Sequence, residues 1–239
     1  MITSALVLAS SLFWTDIGSK QALVCELSQL SYCLSLIPAS VRQQFPESEQ
    51  QIRQVMGQRS AMVMSASAAT FAGLVLVNSK VTQTSSQVNL AAGSFKLALQ
   101  RQDDMSLWHE MGHLENIALQ GRGLPIELSP FQHEWLADVY VLWRSVHETQ
   151  GLDLAWQQYH KRNVDVMNDI VNMSHWSPPL LIQVLNVCSG SRVLELTEYR
   201  DFVQWIYPKL HQYSDDELKE YGSLLQRTFG SSVLQPLPK

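Results

Sequence analysis

Apolar residues along this chain follow two rhythms. From Met105 to Gln120, and again from Gln132 to about His147, good helix formers without internal proline predict two long helices. Residues 60 to 99 differ. Ala61 to Met64, Phe71 to Val77, Val88 to Leu90 and Ser94 to Leu99 are short apolar or alternating runs split by Ser, Thr, Asn and Gln, which predict three or four strands with polar turns. Abundant alanine and methionine make helix the competing reading for 61 to 77. Elsewhere the chain reads as mainly helical: Gln21 to Leu36, Ser48 to Gln58, Leu154 to about Met173, Pro179 to Val187, Thr197 to Leu210 and Asp215 to Thr228.

The ends of the two long helices are written locally. Asp103 and Asp104 offer caps for the first, and Gly121 with Gly123 offers a stop. Ser129, Pro130 and Gln132 form a capping-box start for the second, with proline where its missing N–H costs nothing. Gly112 is the weak interior position, costing roughly 0.5–1 kcal/mol relative to alanine. It is tolerable where another backbone or a substrate must pass close.

Candidate chemistry falls on these helices. His109, Glu110 and His113 form a His-Glu-x-x-His run, and a helix stacks histidines four apart on one face, near enough for one metal, with Glu110 beside them. With seven histidines in the chain, this run arises by chance in about one such sequence in a hundred. Two histidines leave a catalytic zinc site one protein ligand short. Glu134, 21 residues past His113, supplies a carboxylate, and Asp138 follows it at helical spacing. Requiring both lowers the chance expectation by roughly a further factor of fifty. His133 and Glu127 are competing but poorer third ligands; Glu115 reads as a solvent-facing helix residue.

Together these residues resemble the zincin metallopeptidases of the gluzincin type, which complete His-Glu-x-x-His with a glutamate from a following helix; Glu134-Trp-Leu-Ala-Asp138 is similar to their Glu-x-x-Ala-Asp signature. The metzincin pattern departs early, with Asn116 and Leu119 at its glycine and third-histidine places. The resemblance covers about 45 residues, from Asp104 to Val146, and the remainder resembles no specific family. It implies one Zn2+ per chain held by His109, His113 and Glu134, Glu110 as general base on a metal-activated water, and Asp138 hydrogen-bonded behind a ligand histidine. It also implies an oxyanion donor beyond the metal helices, for which His160 and His175 rank ahead of Tyr140, His147 and Tyr159. The expected activity is hydrolysis of peptide bonds. A zincin-fold regulatory or peptide-binding protein without turnover is one alternative, against which Glu110 and Asp138 count; a zinc hydrolase of other amides or esters is a second.

The expected fold is α+β and zincin-like: a small twisted, mostly antiparallel sheet packed on the active-site helix, an edge strand within 78 to 94 able to pair with extended substrate, and a mainly helical remainder. Residues 1 to 173 read as the core with N-terminal helices, and 174 to 239 as a helical C-terminal subdomain packed on it. A 46% hydrophobic content supports a large core, and four tryptophans from Trp108 to Trp156 read first as core packing.

Net charge −5, with 17 Lys+Arg spread through the chain, argues against nucleic-acid binding, and the resemblance implies a peptide or protein substrate as the partner. Oligomeric state has no signature. Met1 to Phe13 is apolar but lacks a basic beginning and is too short to span a bilayer. Cys25, Cys33 and Cys188 read as buried free thiols of a reducing compartment, which favours the cytoplasm; a truncated leader would instead fit a periplasmic or secreted protein.

Overall fold

The computed structural model describes residues 12–90 and 93–229. Most of the apolar N-terminal stretch read above as a poor leader lies outside the described residues. The chain divides into two compact units, Met1–Thr82 and Gln83–Lys239.

In the first unit, β1 (Leu12–Ile17), β2 (Lys20–Glu26), β3 (Ala61–Ser65) and β4 (Phe71–Val77) form a sheet of order β1-β2-β4-β3. Its β1–β2 and β3–β4 pairs are antiparallel; β2 and β4 run parallel. A parallel pair needs a crossover. Here it contains α1 (Leu30–Ser35), α2 (Ala39–Arg42) and α3 (Glu49–Met56). Leu30, Cys33, Val41, Phe45, Ile52 and Met56 from that connection pack on Leu23, Cys25, Leu74 and Leu76 of the central strands. The α3 helix starts on a complete capping box, Ser48 with Gln51.

Two expectations are corrected here. The helix read over Gln21 to Leu36 is a strand as far as Glu26, then a 3-10 turn Leu27–Gln29, and α-helix begins only at Leu30. Residues 20 to 26 pair on both edges, with β1 and β4, and Ala22 to Cys25 are buried, so tertiary pairing overrides the helical propensity of Gln, Ala and Leu. The break also brings two cysteines together. On one helix they would be about 12 Å apart; folded back from β2 to α1, their Cα atoms are 6.3 Å apart and Cys25 and Cys33 are joined in a disulfide. Cys188 stays a buried free thiol, and burial pushes it up to about 12.

The second unit opens with a hairpin, β5 (Ser85–Leu90) antiparallel to β6 (Gly93–Ala98). Helices α4 (Gln102–Leu119), α5 (Pro130–Thr149), α6 (Asp153–Asn168), α7 (Pro178–Val187), α8 (Gly190–Glu195), α9 (Tyr199–Ile206) and α10 (Asp215–Phe229) follow. Both strands over 60 to 77 and the hairpin agree with the strand expectation, so the molecule is α+β with small sheets and a predominantly helical remainder. α5 runs through the middle of this unit. Its residues from Trp135 to Trp143 are all buried, and its Ser129–Gln132 capping box and Pro130 are in place. Trp108, Trp135 and Trp143 are core residues, which settles them as packing. That core also takes in Met173, Trp176, Leu180 and Leu181, on both sides of residue 174. Among the described residues no helix is long and apolar enough to cross a membrane.

Candidate metal centre

The centre is built where α4 crosses α5. Gly112 on α4 and Ala137 on α5 face each other without intervening side chains, so the helices approach closely and the residues flanking that contact meet. One turn before Gly112 stands His109, and one residue after it His113; one turn before Ala137 stands Glu134, and one residue after it Asp138. The rings of His109 and His113 lie edge to face at 4.8 Å between centroids, as helical spacing of four requires.

His109 is gripped from both sides. Its Nδ1 lies 2.8 Å from Asp138 Oδ1 and its Nε2 lies 3.2 Å from Glu134 Oε2. His113 Nε2 lies 3.9 Å from the other Glu134 oxygen. A third histidine arrives from a 3-10 turn, Ile170–His175, between α6 and α7: His175 Nδ1 lies 2.6 Å from Glu134 Oε2. The donor atoms of His109, Glu134 and His175 all lie within 4.8 Å of one another, a group able to hold a metal ion.

The donor set fits a divalent ion of the zinc kind, which takes imidazole nitrogen and carboxylate oxygen together. Charges within the cluster shift one another strongly. Burial disfavours the charged form of Glu134, yet hydrogen bonds from His109 and His175 hold its carboxyl well below the usual range. Burial works likewise against His109, but the charge of Asp138, its hydrogen bond and that of Glu134 outweigh it and raise the imidazole to about 9. For His113 the charges of Glu134 and Asp138 pull in the same direction but do not prevail. Burial, reinforced by the charge on His109, lowers it to about 3, so it is neutral and free to offer a lone pair.

Behind the donors lies a buried polar layer. Asp138 Oδ1 accepts from His109 Nδ1, Gln158 Nε2 at 2.8 Å and Arg162 Nη2 at 2.9 Å; Oδ2 accepts from Arg162 Nε at 2.8 Å and Ser177 Oγ at 2.5 Å. Burial opposes its ionisation, but the Arg162 and His109 charges hold its carboxyl far below the ordinary value. A buried carboxylate this fully paired avoids the cost of an unpartnered charge.

Of the residues singled out from sequence, His109, His113, Glu134, Asp138 and His175 come together. Glu110 lies on the same α4 turn, half-buried. His160 does not join them. It is exposed on α6 against Trp156 and Tyr159, about 200° around the helix from Gln158 and Arg162, which reach Asp138. His133 is half-buried with its ring centroid 6.5 Å from that of His113, and Glu127 is exposed. Tyr140 is core packing against Trp143 and Tyr199. Glu115 is half-buried, not solvent-facing; burial first, and Glu198 second, raise its carboxyl to about 7. Sequence reading missed Gln158, Arg162 and Ser177. The available signal was a Gln–Arg pair four apart on the buried side of an otherwise amphipathic helix.

Comparison with protein-family models, with curated proteins and with solved structures finds no match to this chain, so the reading of this centre rests on its own residues and geometry.

Proposed function

We propose that this protein is a zinc-dependent hydrolase that cleaves peptide bonds, with zinc held by His109, His113 and Glu134. The observation that carries the reading is the bracketing of His109. A carboxylate on Nδ1 directs Nε2 outward, and Nε2 meets the carboxylate of Glu134 instead of solvent. Orientation of a ligand histidine by a carboxylate on its far nitrogen is the common supporting arrangement of protein zinc sites. A bound zinc ion supplies Lewis acidity that lowers the pKa of a water and polarises a carbonyl. Glu110, next to His109 on α4, would act as the base, taking a proton from the attacking water and returning it to the leaving amine. His175 is about half exposed at 47% of its side chain, and it touches Glu134, so it stands at the solvent side of the cluster. Its place suits donation of a hydrogen bond to the substrate oxygen as negative charge develops there. His160, facing Trp156, is the poorer donor for that task.

The test is Glu110→Gln. Wild-type protein should carry about one equivalent of zinc and cleave members of a broad peptide library. The variant should keep its zinc and lose at least ~100-fold in hydrolysis. Zinc surviving His109→Ala combined with Glu134→Ala would refute the site.

One observation favours a second reading, in which the protein binds metal without turnover. His175 belongs to the compact donor group with His109 and Glu134, and if His113 binds alongside these three, four protein donors fill a tetrahedron and leave no place for water. The cobalt-substituted protein separates the two, because an open site changes its visible spectrum on adding a small anion and a closed one does not. The Cys25–Cys33 disulfide supports an oxidising compartment, periplasmic or extracellular, over the cytoplasm favoured by counting cysteines alone.

A further inference from the structure

The third helix of the second unit takes part in the centre without contributing a ligand. Arg162 is half-buried, its side chain 13% exposed, and it meets an Asp138 side chain that is 0% exposed. Its contact is a fork: Nε to Oδ2 at 2.8 Å and Nη2 to Oδ1 at 2.9 Å. Two parallel bonds from a planar guanidinium fix a carboxylate in both position and rotation, which a single bond or a bare ammonium does not. Gln158, one helical turn earlier, and Ser177, at the start of α7, close on the same two oxygens.

A second relation makes the fork more than a brace. Arg162 Nη2 also lies 3.2 Å from His109 Nδ1, the nitrogen that faces Asp138. Each tautomer of His109 therefore has a distinct set of partners. With the proton on Nδ1, His109 donates to Asp138 and its Nε2 lone pair is free for a metal. With the proton on Nε2, His109 would donate to Glu134 but set a bare Nδ1 against Asp138 Oδ1 at 2.8 Å, an acceptor facing an acceptor that the longer 3.2 Å approach of Arg162 Nη2 only partly relieves.

We infer that Arg162 is a positioning residue for the metal centre. By holding Asp138 in the fork it keeps that carboxylate aligned on Nδ1–H and so selects the metal-binding tautomer of His109. The inference rests on His109 being a metal ligand, as proposed above. It assigns to α6 a share in metal affinity that the two metal helices alone do not account for.

Arg162→Lys tests it, since lysine retains the charge beside Asp138 and removes the fork. The expected result is zinc affinity 10- to 100-fold weaker by chelator competition, as for other losses of outer-layer partners. The melting temperature of the chelated protein should stay close to wild type. In 15N-imidazole spectra of the zinc-loaded protein, the His109 Nδ1–H signal should weaken or shift. A folded variant with wild-type zinc affinity and an unchanged His109 signal overturns the inference and leaves the metal site standing. Wild-type protein that binds no zinc overturns the site itself. If the variant shows no cooperative melt, spectra of the wild type decide. The Arg162 Nε–H should be shielded from solvent exchange and should shift with His109 Nδ1–H as zinc is added, and an Arg162 signal indifferent to zinc overturns the inference.

Discussion

Gly112 and Ala137 lie in backbone contact: a Cβ placed on Gly112 would sit 3.0 Å from both the Cα and the carbonyl oxygen of Ala137, and 2.8 Å from Tyr140 Cβ. None of those atoms is the far end of a flexible side chain, so an added methyl can be admitted only by moving one helix away from the other. Gly112→Ala should therefore destabilise by about 1–3 kcal/mol, despite the 0.5–1 kcal/mol that alanine gains in helix propensity. Moving the helices also separates His109 and His113 from Glu134. Thermal melting with and without zinc measures both effects, and a variant as stable and as zinc-avid as wild type contradicts the close-packing account.

His113 and His175 should separate by role. On the proposed ligand set, His113→Ala removes an imidazole ligand and should weaken zinc by more than ~100-fold, whereas His175→Ala should hold zinc within about tenfold while peptide hydrolysis falls. Metal titration beside turnover assays distinguishes them. If His175→Ala loses zinc and His113→Ala does not, the ligands are His109, Glu134 and His175, with His113 outside the set.

The pH dependence of the metal-free protein follows from His109. Its folded value of about 9 lies above its ordinary 6.5, so the folded state holds the proton more tightly than the unfolded chain. The resulting stability is fully present below about pH 6.5 and is lost as pH rises through about 9. If His109 is a zinc ligand as proposed, zinc should reverse the trend, because a protonated ring nitrogen cannot ligate and binding must expel the proton. Melting temperatures in chelator should fall from pH 6.5 to 9 relative to the His109→Gln protein, while the increment from added zinc should grow. Parallel curves with and without zinc would show that His109 is not a ligand.

The disulfide predicts a thiol count. Unfolded without reductant, the chain should show one reactive thiol, Cys188, and after reduction all three cysteines. Closing a short loop between residues eight apart stabilises by roughly 2–3 kcal/mol through the unfolded state, so Cys33→Ser should lower stability by about that much. Three thiols in denatured, unreduced protein purified under oxidising conditions would restore the free-thiol reading.

Helix α5 was legible because its start is a local statement. Ser129, Pro130 and Gln132 satisfy the first N–H groups whatever lies around them, and the apolar surface after them is broad enough to predict burial. The strands over 61 to 77 were legible for a similar reason, as short apolar runs bounded by polar turns. β2 was not. Its residues suit a helix, and only pairing with β1 and β4 on both edges makes them a strand, a preference carried by partners far along the chain.

The same division runs through the centre. Spacing alone determined that His109 and His113 share a face and that Glu134 and Asp138 share another, since the pitch of a helix is the same in every helix. That these faces meet was decided by the contact of Gly112 with Ala137, which no local pattern encodes. Tertiary structure also decided that His175 reaches Glu134 while His160 does not, and that Arg162 closes on Asp138. Those choices depend on where helices of quite different sequence position come to pack, and burial energy is summed over the whole core before any single side chain finds its neighbour.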